Sequence, residues 1–124
     1  MIGRVHRMRR ALPPALAALV LALATGAAFG DRPSYDVPRG YTRCPGAEAW
    51  NGFFKWASVR RTTCRRAARF MRAYADAAAR GPMPRRLRGF RCRLRFWRNA
   101  DGDVYASRHR CRRDGVTIRF YGMV

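Results

Sequence analysis

A strict alternation of two kinds of side chain runs through the last third of the chain. Residues 90–97 and 105–112 place mostly aromatic, aliphatic or cysteine side chains at every second position, with arginine at most positions between them. Because successive side chains of a β-strand point to opposite faces of a sheet, each segment predicts a strand with one apolar and one basic face. Residues 116–121 alternate in the same way, with Val116, Ile118 and Phe120 on the apolar side.

Two turn sequences predict how these three strands pair. Asp114-Gly115 is a strong signal for a two-residue hairpin, and this turn pairs Cys111 with Ile118. A four-residue turn over 100–103 pairs Asn99 with Val104, and it therefore sets Cys92 opposite Cys111. A shift by one residue would move the arginines into the core. The sequence therefore predicts a three-stranded antiparallel meander.

The preceding segment predicts one strand and one helix. In residues 53–59, Phe54, Trp56 and Ser58 alternate with polar or small residues, which predicts a short strand. Thr62 or Thr63 can cap a helix that ends before Gly81-Pro82. The helical spacing gives one narrow, alanine-rich buried stripe, which consists of Cys64, Ala67, Ala68, Met71, Ala75 and Ala78. The predicted fold class is α+β, with one helix packed on a small, mainly antiparallel sheet in the order β-α-β-β-β.

The chain divides into three predicted regions. Residues 1–30 have the arginine-rich start, the apolar run and the small-residue end of a Sec-type signal peptide. Residues 31–46, rich in proline and glycine, predict an extended lead-in, and residues 47–124 predict a single small α+β domain. We expect a secreted protein with no stable membrane insertion after cleavage. The alternative is an uncleaved anchor over residues 11–29.

Four cysteines follow the predicted signal peptide, at Cys44, Cys64, Cys92 and Cys111. An exported small domain with four cysteines predicts two disulfides. The register makes Cys92–Cys111 one natural pair, which leaves Cys44 for Cys64. The linker over 81–89 is long enough to bring the next strand back beside Cys64, so a bond from Cys64 to either strand cysteine stays open. The spacing contains no CxxC motif, and we expect neither a metal nor a cofactor.

The basic face of the meander is the candidate binding site. The chain has 27 basic and 7 acidic residues and a formal net charge of +20, which favours polyanions or anionic membranes as partners. Like charges on opposite strands destabilise a sheet, and a bound polyanion would turn that repulsion into attraction. The aromatic members of the face could stack on bases or sugar rings. The candidate anion-binding residues are Arg91, Arg93, Arg95, Arg108, Arg110, Arg112, Arg119, Trp97 and Tyr121.

Two other interpretations of this face remain open. It could be a solvated face that keeps the domain soluble and prevents edge-to-edge aggregation, or it could bind an acidic protein. Nothing in the sequence predicts catalytic residues. His109 falls on the apolar face, the acidic residues Asp101, Asp103 and Asp114 lie in predicted turns, and no serine lies in a nucleophile motif. We expect a protein that is not an enzyme.

Three short motifs carry a resemblance to a known group of proteins. They are Cys-x-x-Ala at 64–67, Gly-Phe-Arg-Cys at 89–92, and Cys111 followed by Gly115 and a segment that ends at Phe120. With the predicted signal peptide, the chain resembles a widespread, largely uncharacterised group of small secreted, cysteine-containing actinobacterial proteins. The resemblance covers about residues 53–121. It implies export and a disulfide-bonded α+β domain, and it implies no activity or site residues.

Together these features predict a secreted, non-enzymatic basic domain that binds anionic polymers through its arginine-rich sheet face. Candidate partners are an anionic cell-wall polymer such as a teichoic acid, an acidic polysaccharide, or extracellular nucleic acid. The alternatives are a secreted cationic effector that acts on membranes and an inhibitor or regulator of an acidic protein.

Overall fold

The three predicted strands of the meander lie side by side in the sheet. The structure is a computed structural model that describes residues 32–123, and the predicted signal peptide lies outside the described residues. In this part of the chain the elements are β1 (Thr42–Cys44), β2 (Phe54–Arg60), α1 (Cys64–Ala79), β3 (Arg86–Leu87), β4 (Phe90–Arg98), β5 (Val104–Arg113) and β6 (Val116–Met123). The strands form one antiparallel sheet in the order β1-β2-β6-β5-β4-β3. The predicted α+β class is confirmed.

Two short edge strands extend the predicted sheet. β1 lies in the predicted lead-in over 31–46, and β3 lies in the basic linker over 81–89. β1 pairs over three residues and β3 over two. Segments this short show no alternation from which a strand could be predicted. The lead-in is therefore partly integrated into the domain, and its Cys44 is buried in the core.

The register of the meander agrees with the prediction except beside the turn that joins β4 to β5. Cys111 pairs with Ile118, and Cys92 pairs with Cys111. The exception is Val104, which pairs with Arg98 instead of Asn99, after a bulge between Trp97 and Arg98. The side-chain Oδ1 of Asn99 accepts hydrogen bonds from the backbone N–H groups of residues 101 and 103, each at 3.0 Å. Asn99 therefore organises the turn and does not extend the ladder.

Helix α1 begins and ends as predicted, but its buried face is wider. The Thr63 side chain accepts a hydrogen bond from the Arg66 backbone N–H, as expected of an N-cap. The predicted stripe omitted Phe70 and Tyr74, which are both buried. The Tyr74 ring lies 5.1 Å from that of Phe120. Aromatic rings therefore fill the space that a stripe of alanines would leave between helix and sheet.

Strand β2 contains a bulge that reverses its alternation. Lys55 pairs with Tyr121, but the next pair along the strand is Ser58 with Arg119. Phe54 and Val59 are buried in the core cluster beneath the helix, whereas Trp56 lies in the bulge and is 42% exposed. The regular alternation expected for Phe54, Trp56 and Ser58 is therefore wrong, because one inserted residue shifts every later side chain to the other face.

Both of the favoured disulfide pairings are confirmed. Cys44–Cys64 joins β1 to the first residue of α1, and Cys92–Cys111 joins β4 to β5. All four cysteines lie within the described residues, and none of them is free. A bond from Cys64 to a strand cysteine is therefore excluded.

We expect the two disulfides to stabilise the domain by similar amounts. Their sequence separations are 20 and 19 residues, and the chain-entropy model predicts about 3 kcal/mol for a loop of this size. Replacing either pair by alanine should lower the free energy of unfolding in urea by about that amount. A loss below about 1 kcal/mol for Cys92–Cys111 alone would contradict this prediction, and it would show that hairpin pairing already supplies the constraint.

Candidate functional site

All seven candidate arginines lie on the sheet face opposite α1, and we call these seven residues the arginine face. Since paired residues on adjacent strands share a face, the three predicted cross-strand rows are present. They are Arg91–Arg112–Thr117, Arg93–Arg110–Arg119 and Arg95–Arg108–Tyr121. Side chains in a row stand about 5 Å apart across the strands, and successive rows are about 7 Å apart along them. The geometry is a regular array of positive charge on paired backbone.

The centre of this array has no internal counter-charge. Among residues 32–123, no hydrogen bond or ion pair engages the guanidinium groups of Arg91, Arg93 and Arg112. The Nε atom of Arg110 is buried and has no hydrogen-bond partner. These four residues line a surface depression of about 290 Å³. Guanidinium groups bind carboxylates and phosphates through paired N–H donors, so this depression can accept an anionic group.

The two aromatic candidates occupy a different environment from the one expected. Trp97 is only 5% exposed and Tyr121 only 1% exposed. The guanidinium carbon atoms of Arg95 and Arg108 lie 4.8 and 5.9 Å from the Trp97 ring centroid. Neither aromatic ring offers an open face to a base or a sugar, contrary to the stacking role expected from the sequence. Trp97 instead forms a packed base beneath two arginines.

A segment of the lead-in covers the β6 side of the arginine face. The Tyr121 hydroxyl donates to the Ser34 carbonyl at 2.6 Å, and Arg119 Nη1 donates to the Asp36 carbonyl at 2.8 Å. The Tyr35 ring lies 4.9 Å from that of Tyr121. We call residues 34–36 the strap. This docking could not be predicted from the sequence, because the strap has no periodic pattern.

Arg119 is therefore engaged in packing, and we use the term open arginines for the four residues of β4 and β5 that line the depression, which are Arg91, Arg93, Arg110 and Arg112. Burial lowers the pKa of the Arg119 guanidinium, and the neighbouring positive charges of Arg108 and Arg110 lower it further, while Tyr121 opposes this shift. Besides the Asp36 carbonyl, Arg119 donates to the Tyr121 hydroxyl at 2.7 Å. Both partners are uncharged, so Arg119 is held without being neutralised.

A buried polar chain on the other face includes the only histidine within residues 32–123. The Tyr74 hydroxyl donates to the Pro84 carbonyl at 2.9 Å and lies 2.8 Å from His109 Nδ1. Because the hydroxyl proton of Tyr74 is used in the bond to Pro84, the hydroxyl oxygen accepts a hydrogen bond from Nδ1–H of His109. The neutral ring then has no proton on Nε2, and Nε2 accepts a hydrogen bond from Ser107 Oγ at 2.7 Å. Every member of the chain is satisfied by this one arrangement.

These hydrogen-bonded side chains are buried in the core. Ser107 beside His109 has the spacing of a nucleophile and its base, but both residues are buried, and His109 has no solvent exposure. A substrate could not reach the Ser107 hydroxyl without unfolding the helix from the sheet. The chain fixes the packing of α1 on β5. That the protein is not an enzyme stays a prediction.

Within residues 32–123, no group of three or more His, Cys, Asp or Glu side chains is placed to hold a metal ion. Over the same residues, no helix is long and apolar enough to cross a membrane.

We expect His109 to make stability depend on pH in mildly acidic solution. Burial lowers the pKa of His109 from 6.5 to about 4. As the pH falls from 6.5 to 5, the unfolded chain takes up a proton that the folded protein excludes. The free energy of unfolding should therefore fall by about 1.5 kcal/mol over this range. Urea titrations at several pH values measure this slope.

His109→Gln, which keeps hydrogen-bonding groups but does not titrate, serves as the control for this slope. Its unfolding free energy should be nearly independent of pH between 6.5 and 5. Carboxylates have ordinary pKa values near 4 and contribute little in this window. An unchanged slope in His109→Gln would show that another group is responsible.

Comparisons with protein-family models, with curated proteins and with solved structures find no match to this chain. The resemblance to the secreted actinobacterial group, which depends on three short motifs, stays a prediction. A function for this protein has to be argued from the geometry and charge of its own surface.

Proposed function

We propose that this protein is an exported, non-enzymatic domain that binds anionic polymers through the open arginines of β4 and β5. The observation that carries the proposal is the depression lined by Arg91, Arg93, Arg110 and Arg112. Directly paired arginines stand around it, and within residues 32–123 no carboxylate neutralises Arg91, Arg93 or Arg112. Placing like charges opposite one another lowers the stability of a sheet, and a bound anion would remove this cost.

A polymer suits this array better than a single small anion. The open arginines extend over both long strands of the β4–β5 hairpin, and a rigid backbone fixes the spacing of their Cα atoms. A chain of phosphates or carboxylates could engage several of them together and release the counterions condensed on it. Teichoic acids, acidic polysaccharides and extracellular nucleic acid share this chemistry.

The packing of α1 supports this proposal over membrane disruption. Cationic peptides that act on membranes use an amphipathic helix whose apolar face enters the lipid. In this protein the apolar face of α1, which includes Phe70 and Tyr74, is buried against the sheet. The arginine-rich surface is one face of the sheet and is not the polar side of an amphipathic helix.

Export is the part of the proposal that concerns location. The two disulfides are typical of proteins from oxidising compartments outside the cytoplasm. The sequence of residues 1–30 matches a Sec-type signal peptide. Both features favour a protein that acts at or beyond the cell wall, where anionic polymers are abundant.

The proposal predicts that position, and not charge alone, determines polyanion affinity. The triple variant Arg91→Ala, Arg93→Ala, Arg112→Ala should bind inorganic polyphosphate at least about tenfold more weakly than the wild type. Because each neutralised phosphate of a nucleic acid contributes about 0.7–0.9 to the salt slope, we expect the slope of log Kd against log salt to flatten by about 2–3 for three lost contacts. Calorimetric titration from 50 to 300 mM salt would measure both effects.

The matched control is the triple variant Arg65→Ala, Arg69→Ala, Arg72→Ala, which removes the same charge from exposed positions of α1. It should lose much less affinity and keep most of the salt slope. The melting temperature of the sheet variant should stay level or rise, because repulsion is relieved. Equal losses in the two variants, or no wild-type binding at physiological salt, would contradict the proposal.

A further inference from the structure

A pocket of about 340 Å³ lies at the β1–β2 edge of the sheet, beside the strap. Its walls combine aromatic, apolar and charged residues from the lead segment, β1, β2 and the loop between these strands. The lining residues are Tyr35, Val37, Arg43, Pro45, Glu48, Trp56 and Ala57. We call this volume the aromatic pocket.

Trp56 is the most unusual residue of the aromatic pocket. It lies in the β2 bulge with a φ of 53°, in the left-handed region that bulky side chains rarely adopt. It is nevertheless 42% exposed. Bulges often re-aim a side chain beside a functional site, and strained residues persist where they have a function. Stability alone would favour glycine at this position, because glycine adopts positive φ freely.

The Trp56 ring is held in place by two neighbours. The Tyr35 ring centroid lies 4.1 Å away with an interplanar angle of 58°. The Lys55 ammonium group lies 4.9 Å from the centre of the indole. An exposed indole that is already fixed loses little conformational freedom when a ligand stacks on it, which favours binding.

The charged residues of the aromatic pocket favour a sugar ring over a nucleobase. Sugar hydroxyls both donate and accept hydrogen bonds, and the pocket is lined by Arg43, whose side chain carries donors, and by Glu48, whose side chain carries acceptors. The tilt between Tyr35 and Trp56 leaves no parallel slot for a flat base.

The aromatic pocket also adjoins the arginine face. Arg43 pairs with Ser58, which pairs with Arg119, so Arg43 continues the middle arginine row onto the edge strand. Strands lie about 5 Å apart, so the distance from β1 to β5 is about 15 Å. A short oligosaccharide can span that distance.

We propose that the aromatic pocket binds one sugar ring of an acidic polysaccharide, with the ring stacked on Trp56 and its hydroxyls bonded to Arg43 and Glu48. Carboxylates further along the same polymer would then reach the arginine face. That second contact rests on the proposed function, whereas stacking of the sugar ring does not. The inference selects acidic polysaccharide from the classes of polymer that the charge alone allows.

The test compares four probes on the full protein. They are hexagalacturonate, the same hexasaccharide with its carboxyl groups reduced to neutral alcohols, inorganic polyphosphate and single-stranded DNA. Trp56→Gly removes the platform and relieves the backbone, so the melting temperature should change little. This variant should bind hexagalacturonate about tenfold more weakly and bind the neutral hexasaccharide undetectably, while its affinity for polyphosphate stays unchanged.

Trp50→Gly is a closely matched control for Trp56→Gly. Trp50 also has positive φ, at 57°, and is 46% exposed, but it borders a different depression, beside Arg72 and Asp76 of α1. Its replacement should leave the affinity for both hexasaccharides unchanged. Trp56→Tyr, which keeps an aromatic ring, should restore most of the binding lost in Trp56→Gly.

The outcomes separate this inference from the proposed function. Trp56-dependent binding of the neutral hexasaccharide without any polyphosphate binding would support the pocket and refute the arginine face. Arginine-dependent polyphosphate binding, with hexagalacturonate affinity unaffected by Trp56→Gly, would refute the pocket alone. Equal weakening of hexagalacturonate and polyphosphate binding would also refute it. A Trp56-dependent loss confined to single-stranded DNA would replace the sugar with a nucleobase and overturn the inference.

Discussion

The pairing register of β4, β5 and β6 is the constraint on which both faces of this protein depend. One set of hydrogen bonds places Cys92 opposite Cys111 on the helix side and Arg93 opposite Arg110 on the other side. A slip by one residue would break the disulfide geometry and bury the arginines together. The disulfide and the core therefore keep β4 and β5 in register, although the outer face of these strands carries an array of like charges. Without them, repulsion among the arginines would favour separation of the strands.

The two faces of the sheet deal with polar groups in opposite ways. On the inner face, His109 is neutral and its hydrogen bonds are complete, so burial is compatible with stability. On the outer face, Arg110 lies opposite Arg93 and Arg119, and its Nε lacks a partner. A buried donor without an acceptor lowers stability. A ligand with an acceptor group would satisfy this donor, and that contrast makes the outer face the better candidate for binding.

Much of this fold could be predicted because it follows from period-two alternation and two turn sequences. The three long strands, their register, the disulfides and the arginine rows all depend on those local patterns. The pairing next to the turn deviated by one residue, where the Asn99 side-chain oxygen accepts hydrogen bonds from the backbone N–H groups of residues 101 and 103 within the turn. The edge strands β1 and β3 could not be predicted, because two or three residues carry no measurable period.

The properties of the candidate sites were harder to predict, because they depend on tertiary contacts between distant segments. Trp97 and Tyr121 share the face that the register assigned to them, yet the strap covers Tyr121, and two guanidinium groups lie against Trp97. The bulge at Trp56 gives no sequence signal, since an inserted residue looks the same as an ordinary strand position. The sequence pattern therefore predicts exposed aromatic side chains at Trp97 of β4 and Tyr121 of β6, whereas the exposed aromatic side chain beside the strap is that of Trp56 in β2.

The strap divides the outer face into two parts with different chemistry. On the β4–β5 side there are arginines alone, which recognise negative charge and discriminate little among the polymers that carry it. On the β1–β2 side there are an indole, a guanidinium and a carboxylate, which recognise shape and hydroxyl groups. Tyr35 contacts both parts, through Tyr121 on one side and Trp56 on the other. If both parts bind the same polymer, affinity would come from the arginines and selectivity from the pocket, because only the pocket can distinguish a sugar ring from a phosphate.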